Sequence, residues 1–178
     1  MPKGCEEALV RCGQPDGARP PVGVVVAVSV APRRGMRKAN QPRVELRAGQ
    51  GMAGDAHAGP GHRQVSLLAM ESIDAMRAQG LTVGPGDFAE NITTAGLDLP
   101  SLPVGTRMRV GAVILEVSQI GKECLHPCAI YAQAGDCVMP REGIFTRVLA
   151  GGEICPGEGI EVLTAETERR GGCIQPRS

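Results

Sequence analysis

The sequence predicts a mainly β protein, most simply a largely antiparallel β-barrel with a few short helices. Its candidate strands are short and are separated by turns, in keeping with 25 glycines and 14 prolines among 178 residues. Strands do not alternate regularly with long helices, which argues against a parallel sheet built from βαβ units. The core must be largely aliphatic, because the chain has two Phe, one Tyr and no Trp.

Hydrophobic patterning predicts the elements of the first half of the chain. The run Val22–Val30 is rich in β-branched residues, which is typical of a strand buried on both faces. Residues 64–68 predict a short strand, and residues 70–79 predict a helix with its apolar side chains on one face. Gly80 is well suited to end that helix. Residues 84–94 predict a turn followed by a strand.

The second half predicts further β-structure. Val104–Val110 and Ala112–Val117 are expected to form a hairpin around Gly111. Residues 143–150 predict a short helix, because their apolar residues recur at helical spacing. Residues 153–163 predict another hairpin. Residues 1–21 are expected to be a flexible leader, residues 22–163 one domain, and residues 164–178 a polar tail.

Composition excludes several classes of protein. Lys plus Arg and Asp plus Glu number 19 each, so no global positive field is available for nucleic acid or an anionic membrane. The shortage of aromatic residues argues against a platform for stacking bases. No apolar run is long enough to span a membrane, and no secretory leader is recognisable. The seven cysteines have no regular spacing, so we expect free thiols in a reducing compartment and a cytoplasmic protein.

A local excess of positive charge stands in residues 31–47, where six basic residues accompany the single acid Glu45. The basic residues are Arg33, Arg34, Arg37, Lys38, Arg43 and Arg47. The favoured interpretation is a solvated loop and hairpin. The alternative is a rim that attracts an anionic ligand.

The densest group of reactive side chains is Cys124, His126 and Cys128, with Cys137 nine residues further on. A zinc site is one interpretation, although only one closely spaced cysteine pair is present. A nucleophilic or sulfur-carrying thiol is another, because Lys122 and His126 can raise the thiolate fraction of Cys124. Buried cysteines that act only as small apolar residues are the third.

A glycine-rich loop, Gly49–Gly61, allows backbone N–H groups to approach a ligand closely, but it lacks the Lys-Ser/Thr ending of a P-loop. Asp55 and His57 within it could bind a metal, and an Asx turn at Asp55 is favoured over that. Arg63 suits recognition of a phosphate or another oxyanion. A further polar cluster stands at the start of a predicted strand: Asp87, Glu90 and Asn91. Turn formation is the expected role of that cluster.

Four motifs in a fixed order carry a family resemblance. They are Gly51–Gly59 with Arg63–Leu68, then Gly86–Ile92, then Val104–Cys124, then Arg141–Leu149 with Gly151–Glu158. Together they resemble the MOSC family, which is named for the C-terminal domain of molybdenum cofactor sulfurase. The resemblance covers residues 22–163 and is greatest to the small stand-alone bacterial members.

The resemblance implies a pyruvate-kinase-like β-barrel whose key cysteine carries sulfur or contacts molybdenum. That cysteine corresponds by position to Cys124, and Cys128 offers a second thiol close by. The implied ligand is the molybdenum cofactor, a pterin. The candidate cofactor-binding residues are Lys122, Arg63, Arg141, His57, Asp55 and Asn91. A cysteine desulfurase or a molybdoenzyme is the implied partner, and the pyridoxal-phosphate desulfurase domain of the family's sulfurases has no counterpart in this chain.

The leading hypothesis is therefore a molybdenum-cofactor-binding protein that carries sulfur as a persulfide on Cys124. One alternative is a molybdenum-dependent reductase component that acts on N-hydroxylated substrates with electrons from a partner. The other is a non-catalytic module that binds zinc or an anion.

Overall fold

The computed structural model describes residues 22–122 and 137–164. Cys124, His126 and Cys128 lie outside these ranges. Within the ranges the chain forms eleven β-strands, two α-helices and one 3₁₀ turn. The strands are β1 Gly23–Val30, β2 Ala39–Gln41, β3 Val44–Arg47, β4 Gly51–Met52, β5 Val65–Ala69, β6 Ile92–Ala95, β7 Arg107–Val110, β8 Val113–Ile120, β9 Ile144–Ala150, β10 Gly152–Ile154 and β11 Gly159–Leu163. The helices are α1 Met70–Ala78 and α2 Met139–Glu142, and the 3₁₀ turn is Leu99–Ser101.

Seven strands form a closed barrel in the order β1, β11, β7, β8, β9, β5, β6. The ring closes where β1 pairs with β11, with Gly23 opposite Ile160 and Val24 opposite Gly159. Neighbouring strands are antiparallel except β5 and β6, which run parallel. Beside the ring, β2 extends the sheet from β1, and β10, β3 and β4 form a small separate sheet. The predicted mainly β, largely antiparallel barrel is confirmed.

Two apolar clusters lie on opposite faces of the barrel wall. The barrel core draws aliphatic and methionine side chains from all seven strands and contains no aromatic ring among the described residues. The satellite core lies outside β5 and β9, beneath α1 and α2. Its members are Leu68, Ile73, Met76, Val83, Phe88, Cys137, Val138, Met139 and Phe145. Both phenylalanines of the chain are therefore outside the barrel.

Several predicted elements are confirmed. The run over 22–30 forms β1, and β7 and β8 pair as the expected hairpin, with Val110 opposite Val113 and Gly111 at φ +56°. The predicted helix is α1, which buries Ile73 and Met76 completely. Gly80 follows it at φ +94°, a conformation that glycine adopts without steric cost.

The helix predicted over residues 143–150 is wrong, because this segment is the strand β9. It pairs with β5 on one side and β8 on the other. Ile144 and Val148 enter the barrel core, whereas Phe145 enters the satellite core. A strand with an apolar cluster on each face does not show simple alternation, so its apolar residues can recur at a spacing that resembles a helical period.

The hairpin predicted over residues 153–163 is also wrong. The first part, β10, pairs with β3 in the small sheet, and the second part, β11, pairs with β7 and β1 in the barrel. The intervening turn therefore connects two sheets. Turn residues between two apolar segments do not by themselves determine which strands pair.

Two hydrogen bonds tie the end of β8 to α2 and form a neck of four residues: Gly121, Lys122, Pro140 and Gly143. The N–H of Gly121 donates to the carbonyl of Gly143 at 2.7 Å, and the N–H of Lys122 donates to the carbonyl of Pro140 at 3.2 Å. Gly121 has φ +68°, and a Cβ atom there would overlap the carbonyl oxygen of Pro140. The neck therefore joins the segment that precedes residues 123–136 to the segment that follows them.

The neck gives a first prediction. Gly121→Ala should lower the free energy of unfolding by about 2–4 kcal/mol, since it combines left-handed backbone strain with the overlap on Pro140. Gly105→Ala is the matched control, because Gly105 has φ +93° but open space around its Cβ position, and it should cost only about 1–2 kcal/mol. Urea unfolding of both variants measures the difference. Equal losses would show that the neck is not tightly packed.

Candidate functional site

A buried carboxylate, that of Asp55, organises one end of the barrel. Its Oδ2 accepts hydrogen bonds from Nζ of Lys38 at 2.6 Å and from the backbone N–H of Ala31 at 3.1 Å. Its Oδ1 accepts from the backbone N–H of His57 at 3.0 Å and faces Nδ1 of the same residue at 3.3 Å. The Asx turn expected at Asp55 is thereby confirmed. Lys38, Asp55 and His57 are called the Asp55 cluster below.

The Asp55 cluster contains a fully desolvated ion pair. The side chains of Lys38 and Asp55 are 1% and 0% exposed. Burial by itself raises the pKa of Asp55, but hydrogen bonds from His57 and Lys38, together with the charge of Lys38, hold that pKa well below its ordinary range. Burial lowers the pKa of Lys38, against the hydrogen bond and charge of Asp55. Asp55 is therefore an ionised hydrogen-bond acceptor at neutral pH.

A tight turn holds Lys38 from the other side. The N–H of Lys38 donates to the carbonyl of Gly86 at 2.8 Å, and Gly86 has φ +90° with no room for a Cβ beside the Lys38 carbonyl. The buried carboxylate of Glu90 accepts hydrogen bonds from the N–H groups of Gly86 and Phe88 and from the hydroxyl of Thr93. Burial raises the pKa of Glu90 despite these bonds. The turn role expected for this polar cluster is confirmed for Glu90 and for Asp87, whose Oδ2 accepts from the N–H of Gly84 at 2.8 Å, but not for Asn91.

Asn91 is 1% exposed, and both the oxygen and the nitrogen of its side-chain amide form hydrogen bonds within the fold. Its Oδ1 accepts from the N–H and the hydroxyl of Ser66 at 3.1 and 3.0 Å. Its Nδ2 donates to the carbonyl of Ser29 at 3.2 Å. Asn91 therefore joins β1 to β5 at the start of β6, and this placement indicates a structural contribution to the site.

Arg63 is exposed and is oriented by two contacts. Its Nε donates to Oε1 of Gln119 at 2.8 Å, and its guanidinium carbon lies 5.3 Å from the ring centre of Phe145. Nε2 of His62 also contacts Oε1 of Gln119, at 3.1 Å. The terminal Nη1 and Nη2 atoms of Arg63 have no hydrogen-bond partner among the described residues. Gln119 in turn donates to the carbonyl of Gly121 at 2.8 Å, which links Arg63 to the neck.

The other predicted cations lie at the neck. Lys122 is half-buried. Burial is the largest cause that lowers the pKa of Lys38, and the positive charge of Lys122 adds to it. Arg141 is exposed on α2, one residue after Pro140, which accepts the backbone hydrogen bond of Lys122. The predicted thiols Cys124 and Cys128 follow Lys122 in the chain and lie outside the described residues.

The basic run over residues 31–47 is largely balanced by carboxylates. Its ion pairs are Arg37–Asp87, Lys38–Asp55, Arg43–Glu153 and Arg47–Glu45. Arg33 and Arg34 are exposed. The expected loop and hairpin is confirmed, since residues 31–38 connect β1 to β2 and these two strands pair antiparallel. Lys38 is the buried member of this otherwise mostly exposed segment. β3 pairs separately with β4 and β10.

Two cysteines are present in the described ranges. Cys137 is 7% exposed in the satellite core, and the half-buried Cys155 donates from Sγ to Oε1 of Glu158 at 3.0 Å. Within residues 22–122 and 137–164, no three His, Cys, Asp or Glu side chains are grouped to hold a metal ion. In these same residues, no helix is long and apolar enough to cross a membrane.

The closed barrel, the glycine-rich loop and the cations at the neck all belong to a chain whose sequence matches a known family model. The family model of the MOSC domain matches residues 53–161, more than half of the chain. The chain belongs to the MOSC domain family, which is associated with molybdenum-cofactor binding and with the C-terminal domains of cofactor sulfurases. A comparison with curated proteins gave no match.

Solved structures share the fold. The YuaD protein from Bacillus subtilis superposes with a TM-score of 0.65 at 20% identity, over 79% of this chain and 95% of that one. YiiM from Geobacillus stearothermophilus has a TM-score of 0.60 at 22% identity, over 80% of this chain and 75% of that one. YiiM from Escherichia coli has a TM-score of 0.55 at 19% identity, over 83% and 71% of the two chains.

Two residues of the site were not predicted. Lys38 stands beside Arg37 in a basic run, and nothing in its spacing distinguishes a buried lysine from an exposed one. Gln119 lies near the end of β8 and orients Arg63 from 56 positions away. Only the pairing of distant strands brings these partners together, so no local pattern could have identified them.

The buried pair gives a second prediction. Lys38→Met should destabilise the protein by about 3–5 kcal/mol, since it leaves a buried carboxylate without its counter-ion. The double variant Lys38→Met/Asp55→Asn removes both charges and should recover part of that loss. Arg43→Met, which breaks the exposed Arg43–Glu153 contact, should change stability by at most about 0.5 kcal/mol. Denaturant unfolding at neutral pH measures all three, and a double variant no more stable than Lys38→Met would contradict a true ion pair.

Proposed function

We propose that this protein binds the molybdenum cofactor through the cofactor's phosphate group and carries sulfur as a persulfide on Cys124. The observation that carries the proposal is the oriented guanidinium of Arg63 beside the end of β8, which leads directly to Lys122 and then to the two thiols. Membership of the MOSC family supports the choice of cofactor.

The residues present fit the phosphate of a pterin cofactor. Arg63 is held at Nε by Gln119 and at its face by Phe145, so less conformational entropy is lost when Nη1 and Nη2 bind an oxyanion. Lys122 adds a second positive charge at the neck. Exposed glycine backbone near Asp55 adds candidate N–H donors. When bound, the cofactor would supply the molybdenum centre that accepts sulfur.

Sulfur transfer to a cysteine follows simple thiol chemistry. The thiolate of Cys124 attacks the outer sulfur of a persulfide donor, a new S–S bond forms, and the donor's S–S bond breaks. The donor leaves as a thiolate and takes up a proton, so no external oxidant or reductant is needed. Lys122, two residues before Cys124, favours the thiolate by its charge. Cys128 is the candidate for passing on or resolving the persulfide.

A third prediction tests the phosphate site. Arg63→Met should weaken retention of the molybdenum cofactor by about tenfold to a hundredfold, since it removes charge-assisted hydrogen bonds to the phosphate. Gln119→Ala keeps the charge but loses its orientation, so its loss should be smaller. Arg43→Met removes an exposed cation elsewhere and should retain the cofactor fully. Metal and pterin analysis of each protein, purified from a molybdenum-replete host, measures the ratio of bound cofactor to protein. Equal retention in all three variants would overturn the assignment of Arg63 to the phosphate.

A fourth prediction tests the thiol. Cys124→Ala should abolish the persulfide that mass spectrometry detects after incubation with a cysteine desulfurase and cysteine, whereas Cys155→Ala should not. A persulfide on Cys128 in the Cys124→Ala variant, at the wild-type level, would move the carrier role to Cys128.

The same proteins distinguish the alternatives. Bound molybdenum without any persulfide, together with dithionite-driven reduction of an N-hydroxylated substrate, would overturn the carrier role in favour of a reductase component. Zinc at about one equivalent, lost on mutation of Cys128 or Cys137, would overturn the proposal in favour of a zinc module.

A further inference from the structure

We propose that His57 is the proton-accepting residue of this site and that Lys38, through Asp55, is the residue that positions it. The ligand group would be one that can give up a proton, a class that includes a thiol and a pterin ring N–H. The identity of that ligand rests on the proposed function, whereas the state of the imidazole is a property of the free protein.

The hydrogen bonds of Asp55 determine the tautomer of His57. An ionised carboxylate only accepts hydrogen bonds, so Nδ1 of His57, 3.3 Å from Oδ1, must carry the proton. The neutral ring then has a lone pair on Nε2. That atom has no hydrogen-bond partner among the described residues, and the side chain is 40% exposed. A histidine oriented by a carboxylate at Nδ1, with Nε2 open, is the arrangement that proteins use for bases and ligands.

Lys38 is the positioning residue because it keeps Asp55 ionised and correctly turned. Its ammonium group donates to Oδ2 at 2.6 Å, and the N–H of Ala31 donates to the same oxygen. Those two donors leave Oδ1 to face His57. The pair is nearly fully desolvated, so solvent cannot replace Lys38 as the partner of the carboxylate.

The backbone of Lys38 is itself fixed by the turn that contains Gly86, which fits a positioning role. The charged groups that act on Lys38 are Asp55, Glu90 and Lys122. Glu90 lies in the same turn as Gly86, and Lys122 belongs to the neck.

The chain contains a matched control in His62. Oε1 of Gln119 accepts from Arg63, whose guanidinium can only donate, so the atom that faces His62 is an oxygen. His62 must therefore carry its proton on Nε2, the nitrogen that contacts Gln119 at 3.1 Å. The structure assigns opposite tautomers to two histidines five positions apart.

The experiment is long-range ¹H–¹⁵N NMR of the full chain, at a pH where the rings are neutral, with signals assigned by His57→Gln and His62→Gln. His57 should show a protonated Nδ1 and His62 a protonated Nε2. Asp55→Asn and Lys38→Met should each shift His57 towards protonation at Nε2 and leave His62 unchanged. Gln119→Ala should change only His62.

A wild-type His57 protonated at Nε2 would overturn the proposal, and so would a tautomer that survives both Asp55→Asn and Lys38→Met. Because Lys38→Met lowers stability, the wild-type spectrum alone already decides the first point. A chemical readout decides the second independently. Diethyl pyrocarbonate reacts with an unprotonated, exposed imidazole nitrogen, so His57 should be modified several-fold more slowly in Asp55→Asn, where Nε2 carries the proton, than in the wild-type protein. Equal or faster modification of His57 in Asp55→Asn would also overturn the proposal. Neither measurement depends on bound cofactor, so failure here is distinguishable from failure of cofactor retention.

Discussion

Hydrogen bonds from three separate parts of the chain converge on the carboxylate of Asp55. They come from Ala31 at the end of β1, from Lys38 before β2, and from His57 in the glycine-rich loop. Since the carboxylate and the ammonium group of Lys38 are both desolvated, neither can lose its partner without a large energetic cost. This single constraint fastens an irregular loop to the closed barrel and orients the imidazole of His57. The conformation of the site depends on it.

The barrel supports this arrangement by dividing its apolar residues between two clusters. The aliphatic barrel core closes the ring of seven strands, and the satellite core fixes α2 and therefore the neck. Phe145 takes part both in packing and in the orientation of Arg63, because it belongs to the satellite core and lies beneath the guanidinium of Arg63. A cation oriented in this way is pre-organised for an oxyanion, which is the physical basis for proposing a phosphate-bearing cofactor.

Family motifs in this chain acquire distinct physical roles. In the segment 86–92, Gly86 makes room for the Lys38 backbone, Glu90 satisfies the N–H groups of the turn, and Asn91 joins β1 to β5. These residues shape the site without offering free groups to a ligand. Arg63, His57 and Lys122 present groups that have no partner in the described parts of the chain. Mutation of the first group should therefore destabilise the fold, whereas mutation of the second group should impair the proposed binding.

The sequence by itself determined the mainly β class, the hairpin around Gly111, helix α1 and the family, because each follows from local spacing or from motifs in order. Tertiary structure decided the rest. Residues 144–150 became a strand because apolar clusters lie on both of its faces, which local periodicity cannot reveal. Lys38 became a buried partner of Asp55, and Gln119 the residue that orients Arg63, because strand pairing brings distant segments together. Burial and pairing of charge are properties of the assembled barrel, so a run of cations in the sequence does not show which one is enclosed.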